Sequence, residues 1–105
     1  MEELNFDVVV VGGGPAGSSA AHMAAKSGCT VALIEKEKEI AETVRTSGVT
    51  WISDIKKFGI PEECYNPIKK FSFCSPKNSV KISGEIAKAA VLDVRKTYRF
   101  LANRA

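Results

Sequence analysis

Four valines, Val8 to Val11, run directly into three adjacent glycines, a proline and a tract of small residues that lasts to Ala25. The segment Phe6 to Val11 reads as a β-strand whose apolar residues do not alternate, the pattern of a parallel strand covered on both faces. From Pro15 the residues are small and helix-compatible as far as Ser27-Gly28, where glycine suits the left-handed position just beyond a helix end. Val31 to Ile34 is a second apolar strand, closed by Glu35. Strand, glycine turn, helix, strand and acid make one βαβ unit.

Each part of the unit has a chemical reason. Gly12 turns the chain sharply out of the strand, Gly14 removes a Cβ where backbone must approach a pyrophosphate, and Gly17 lets the helix pack close to the sheet. Pro15 fits the first helical turn, where its missing N–H breaks no bond. The free amides at that helix start carry partial positive charge toward phosphates, about 1 kcal/mol per anionic group. Ala20, Ala21 and Ala24 continue a small-residue face, and Glu35 stands eighteen residues after Gly17, where its carboxylate can accept ribose hydroxyls and repel a 2′-phosphate. A lone glycine motif is weak; strand, small-residue helix and spaced acid together point to the ADP moiety of a dinucleotide, NAD or FAD.

Composition limits the rest. At 105 residues, 45% hydrophobic and 26% charged, the chain has the balance of one globular domain at most, short for a fold that must cover two faces of a sheet. Val8–Val11 is far too short to span a bilayer, and the acidic start "MEELNFD" matches neither a secretory signal nor a transit peptide, so a cytoplasmic location is expected. Cys29, Cys64 and Cys74 form no C-x-x-C pair and read as reduced, buried thiols; with a single His22 no metal site is expected. Residues 1–52 hold four Lys/Arg against seven Asp/Glu, whereas residues 53–105 hold eleven against five. That asymmetry leaves open a lysine-bearing face meeting an anionic substrate or a membrane surface, beside an ordinary solvated face; no nucleic-acid partner is expected.

Farther along, Trp51, Ile52, Ile55 and Phe58 recur at helical spacing ahead of Gly59 and Pro61, which assigns Trp51 to the core. Phe71, Phe73, Val80 and Ile82 alternate on either side of "SPKN" and read as a hairpin with one apolar face. His22 sits mid-helix with no catalytic role. Arg45, in an acidic stretch, has a plain reading as a partner of Glu42.

"DVVVVGGGPAGSSAA" with "VALIEKEKEI", and later "RTSGVTWISDIKKFGIP" and "PIKKFSFCSPKNSVKI", resemble the N-terminus of geranylgeranyl reductase-type FAD-dependent oxidoreductases, relatives of the flavoprotein aromatic hydroxylases. The resemblance implies FAD as cofactor, with Gly12, Gly14, Pro15, Ala16 and Gly17 at the pyrophosphate and Glu35 with Lys36 at the adenosine ribose. It also implies that Arg45, Thr46, Ser47 and Gly48 match a loop near the flavin, and that Arg95 matches an arginine opening a helix near the cofactor. Two departures stand out: the loop cysteine of the family is replaced by Ser47 or Thr46, and an aspartate of the last segment by Arg99. No catalytic residue is identified.

The expected architecture is therefore α/β: a Rossmann-like βαβ unit with an added β-hairpin and an incomplete sheet. In the resembled fold a third parallel strand follows the helix that starts near Val94. Residues 1–105 are accordingly expected to be the N-terminal part of an FAD-binding domain, with the remainder and a substrate domain outside them. The implied activity of the longer form is reduction of isoprenoid C=C bonds by reduced flavin, the 105 residues alone being inactive. A flavin-dependent monooxygenase and a nucleotide-binding fragment without catalysis are the alternatives.

Overall fold

The computed structural model describes residues 3–104. They fall into two compact units, one of the residues up to Arg45 together with those from Val94 onward, the other Thr46–Asp93.

In the first unit, β1 (Val8–Val11) pairs in parallel with β2 (Val31–Ile34), Val8 opposite Val31 and Val11 opposite Ile34. Val8 N–H to Thr30 O (3.0 Å) and Gly12 N–H to Ile34 O (2.7 Å) extend the ladder at both ends. The strand begins at Val8 rather than at Phe6, because Asp7 is engaged elsewhere: its N–H donates to Thr30 Oγ1 and its carboxylate accepts the Thr30 N–H, both at 2.9 Å.

The crossover helix α1 (Pro15–Lys26) starts from Gly14 in extended conformation with Pro15 in its first turn. Past Ser27 the chain leaves through Gly28 at φ +94°, where glycine is free of the Cβ clash that disfavours other residues. α1 packs on both strands and on α3 (Val94–Asn103), burying Ser18 and Ala21 from its own side and Val94, Thr97 and Leu101 from α3. His22 Nδ1 lies 2.9 Å from Arg104 O, a tie between the two helices that accounts for this histidine without chemistry.

The expectation of cover on both faces is corrected. Val10 faces α1, but Val9 and Val11 point the other way and are 54% and 80% exposed, with Ile34 of β2 at 51%. Among the described residues, β1 is here covered on one side, where α1 packs on it.

The second unit holds a three-stranded antiparallel sheet in the order β3 (Val49–Trp51), β7 (Ala89–Leu92), β4 (Tyr65–Ile68), together with the hairpin β5 (Lys70–Cys74)–β6 (Ser79–Ser83). Between β3 and β4 lie α2 (Ile52–Lys57) and a 3-10 turn, Glu62–Cys64. Ile55, Cys64, Ala89 and Ala90 form its small core. Pro67 falls on β4, an edge strand, where a missing N–H is tolerated.

Two expectations change here. Trp51 belongs to β3, not to the helix, and is half-exposed; its ring meets Phe71 edge-on at 6.1 Å between centroids. Of the apolar set at helical spacing only Ile55 is buried, because α2 is too short to present a continuous stripe. Cys74 is likewise exposed, on the hairpin face opposite Phe71 and Phe73, whereas Cys64 is buried. Among the described residues no helix is long and apolar enough to cross a membrane.

Candidate functional site

The C-terminal ends of β1 and β2, the glycine turn and the start of α1 form one cluster, and each glycine in it meets a different constraint. Gly12 leaves β1 at φ +106°, a conformation that residues with a Cβ rarely adopt. At Gly17 an added Cβ would overlap the Gly12 carbonyl oxygen, so the first turn of α1 lies directly on the turn backbone. At Gly14 nothing lies within 4 Å of where a Cβ would stand. The helix ladder begins with Ser18 N–H to Gly14 O at 2.9 Å, so the amides of Ala16 and Gly17 precede it and Pro15 has none. Gly14, Pro15 and Ala16 are all exposed. The turn thus presents bare backbone and helix-start amides beside open space, a cradle that a side chain at Gly14 would fill.

Glu35 closes the cluster from β2. Its Oε2 accepts the Gly13 N–H at 3.1 Å and its Oε1 accepts the Lys36 N–H at 3.0 Å. A carboxylate offers about four acceptor positions, so each oxygen retains capacity for a ribose hydroxyl. Ser18, fully buried, donates from Oγ to Gly13 O at 3.2 Å, so the middle glycine of the turn is held at both its amide and its carbonyl. Lys36 is exposed and joins the cluster through its backbone amide.

The segment after β2 is fixed from α3. Arg95 donates from Nε to Ala41 O (3.0 Å) and from a terminal nitrogen to Glu42 O (3.2 Å). Arg99 donates to Ile40 O (2.9 Å) and pairs with the Glu39 carboxylate at 3.0 Å. These bonds hold a turn in which Ala41 takes a left-handed φ of +58° and Ile40 sits against Gly13 so closely that a Cβ there would meet its terminal methyl. The guanidinium of Arg95 is thus committed to loop carbonyls. Arg99, which stands where the resembled family has an aspartate, does the same work one helical turn later. Among the described residues no ion pair joins Arg45 to Glu42, whose carbonyl serves Arg95 instead.

Thr46, Ser47 and Gly48 belong to the second unit. Thr46 Oγ1 accepts the Gly48 N–H at 3.4 Å, and Gly48, buried at φ +83°, gives its carbonyl to Leu92 N–H at 2.9 Å. Thr46 and Ser47 are exposed. Sequence reasoning singled out the glycines and Glu35, which the structure brings together; it missed Ser18, Ile40 and Arg99 as supports of the turn. Ser18 left a faint signal as a polar residue in an alanine-rich helix, whereas Ile40 and Arg99 left none, Ile40 reaching Gly13 and Arg99 reaching Ile40 across long stretches of sequence.

The geometry defines a Rossmann-like βαβ unit with a cradle at the helix start. Residues 7–70 match the sequence family described as FAD dependent oxidoreductase. The chain is 40% identical to a digeranylgeranylglycerophospholipid reductase from Methanocaldococcus jannaschii over its whole length, which is 28% of that protein. It is 31% identical over 97% of its length to digeranylgeranylglycerophospholipid reductase 2 from Methanothermobacter thermautotrophicus, again spanning 28% of the relative. The crystal structure of a geranylgeranyl bacteriochlorophyll reductase-like protein from Thermoplasma acidophilum superposes with a TM-score of 0.83 at 32% identity, over 94% of this chain and 27% of that one. The chain belongs to the FAD-dependent oxidoreductase family and corresponds to the N-terminal part of its geranylgeranyl reductase-type members.

Proposed function

We propose that this chain carries the ADP-binding part of an FAD site in a reductase of isoprenoid lipids. The observation that carries the reading is the cradle: a Cβ-free opening at Gly14, beside helix-start amides and a carboxylate with acceptor capacity to spare. In this reading Gly12, Gly14, Pro15, Ala16 and Gly17 shape the pyrophosphate seat. Glu35 takes the adenosine ribose and the backbone of Lys36 steadies that carboxylate. Arg95 acts through the Ala41–Glu42 carbonyls as a positioning residue rather than by touching the cofactor. A flavin-proximal role for Arg45, Thr46, Ser47 and Gly48 rests on the family resemblance alone.

Bound FAD supplies hydride chemistry that no side chain here provides. The residues of this chain bind and orient; Glu35 also disfavours a 2′-phosphate by charge repulsion. An isoprenoid lipid substrate is proposed because the relatives are reductases of digeranylgeranylglycerophospholipid by name. Reduction of that lipid is assigned to a longer form with the parts of the relatives that this chain does not span, and the 105 residues alone are proposed to be inactive.

Amide NMR of the chain during titration with ADP and with FAD tests the reading. Both ligands should shift the amides of Gly12 to Ser18 and of Gly13 in particular, and Gly14→Val should abolish the shifts while leaving the spectrum folded. Shifts elsewhere, or shifts that survive Gly14→Val, overturn it.

A further inference from the structure

Gly13 is the pivot of the glycine turn. It is buried, its N–H donates to Glu35 Oε2 at 3.1 Å, and its carbonyl accepts the Ser18 hydroxyl at 3.2 Å. The peptide that follows is trans, so the Gly14 N–H on the same plane points the opposite way to that carbonyl, away from Ser18. The orientation of Gly13 therefore sets two groups at once, an amide at the exposed helix start and the carboxylate at the end of β2. A third contact closes on the same residue. The place that a Cβ of residue 13 would take is filled by the terminal methyl of Ile40, with Glu35 Oε2 3.0 Å and Glu35 Cβ 3.4 Å from it. Ile40, Glu35 and Gly13 thus meet at one point, which a residue without a side chain allows.

Ile40 is held there from a distance. Residues 36–43 form neither helix nor strand, Ala41 stands at φ +58°, and the turn's own backbone bond, Glu42 N–H to Glu39 O, is long at 3.3 Å. A left-handed alanine persists where its surroundings impose it. The surroundings here are two guanidiniums of α3. Arg99 holds Ile40 O and the Glu39 carboxylate, and Arg95, one helical turn earlier, holds the carbonyls of Ala41 and Glu42. Three successive carbonyls are tied to one helix, and the side chain they carry into place is the one that covers Gly13.

We infer that Ile40 is a positioning residue for the ADP seat: clamped by Arg95 and Arg99, it locks Gly13 so that the Gly14 amide and the Glu35 carboxylate are set before the ligand arrives. The inference rests on the dinucleotide reading for the identity of the ligand alone, because the lock is a property of the free chain. The clamp on α3 and the seat then become two ends of one equilibrium. If unlocking leaves about one molecule in ten with the seat formed, ADP affinity falls about tenfold. By linkage, bound ADP holds the clamp closed by the same factor.

Amide hydrogen exchange and ADP titration of Ile40→Ala, and of the milder Ile40→Val, which removes only the methyl at Gly13, test the lock in the whole chain. Without ligand, both variants should speed exchange of the Gly13 amide, Ile40→Ala by about tenfold, while the amides of β1 and β2 keep theirs. Ile40→Ala should bind ADP about tenfold more weakly than the parent. Saturating ADP should slow exchange of the Glu42 amide in the parent by about the same factor and leave it unchanged in Ile40→Ala. Arg99→Ala should weaken ADP binding by itself and add nothing to Ile40→Ala, since it acts through that side chain. A clamp that merely stabilises the fold gives additive losses and no ADP-dependent protection at Glu42, and either result overturns the inference. So does parent-like exchange at Gly13 in both Ile40 variants, whatever the chain binds. A parent that takes up no ADP, with Gly13 still loosened by Ile40→Ala, rejects the dinucleotide reading and keeps the lock.

Discussion

Glu35 reaches from the end of β2 to the glycine turn, its Oε2 accepting the Gly13 N–H at 3.1 Å. An acid read from sequence as a ribose ligand is thus also a support of the turn it serves. Glu35→Ala removes an ionised acceptor, and a hydrogen bond to a charged group contributes about 1.5–3 kcal/mol. The expected outcome is a lower urea midpoint together with weaker ADP binding. Glu35→Gln, which retains an acceptor oxygen, should recover most of the stability and less of the binding. Equal midpoints for parent and Glu35→Ala would show that the bond does not hold the turn.

Gly14 and Gly17 separate binding from folding. A side chain at Gly14 enters open space, so Gly14→Val should keep the midpoint within about 1 kcal/mol of the parent while abolishing ADP binding. A side chain at Gly17 overlaps backbone, which cannot swing aside, so Gly17→Ala should destabilise by about 1–3 kcal/mol or more. That cost exceeds the gain of about 1 kcal/mol that alanine has over glycine within a helix. Chemical denaturation of the two variants decides the order.

Arg99 binds Ile40 O and the Glu39 carboxylate, and Ile40 in turn covers Gly13. Arg99→Ala should raise amide hydrogen exchange in residues 39–42 and cost about 1 kcal/mol of stability, one partly exposed ion pair and one carbonyl contact. Arg99→Lys should restore little, since lysine lacks the planar fork that serves two acceptors. Unchanged exchange in that segment would assign the turn to local sequence instead.

Thr97 is 1% exposed in α3, and its hydroxyl oxygen has no hydrogen-bond partner. Replacing an unpartnered hydroxyl by a methyl of similar shape removes a desolvation cost, so Thr97→Val should raise the melting temperature, by the equivalent of about 1 kcal/mol. Thr97→Ser, keeping the hydroxyl and losing the methyl, should lower it. A thermal melt of the three proteins reads both signs.

The sequence by itself determined the βαβ unit, because its elements are set by neighbours: valines favour extended chain, Pro15 and the alanines favour helix, and Gly28 ends it. It also determined the hairpin, since period-two alternation around "SPKN" fixes a register that pairs Phe71 with Ile82 and Phe73 with Val80. What tertiary structure decided was cover and company. Val9 and Val11 have the same side chain as Val10, and only the packing of α1 on one face leaves Val10 partly covered and the others exposed. Trp51 fits helical spacing, yet pairing with Ala89 draws it into β3. Arg99 closes on Ile40 across 59 residues, a contact that no local pattern encodes, because it depends on α3 returning to pack against α1.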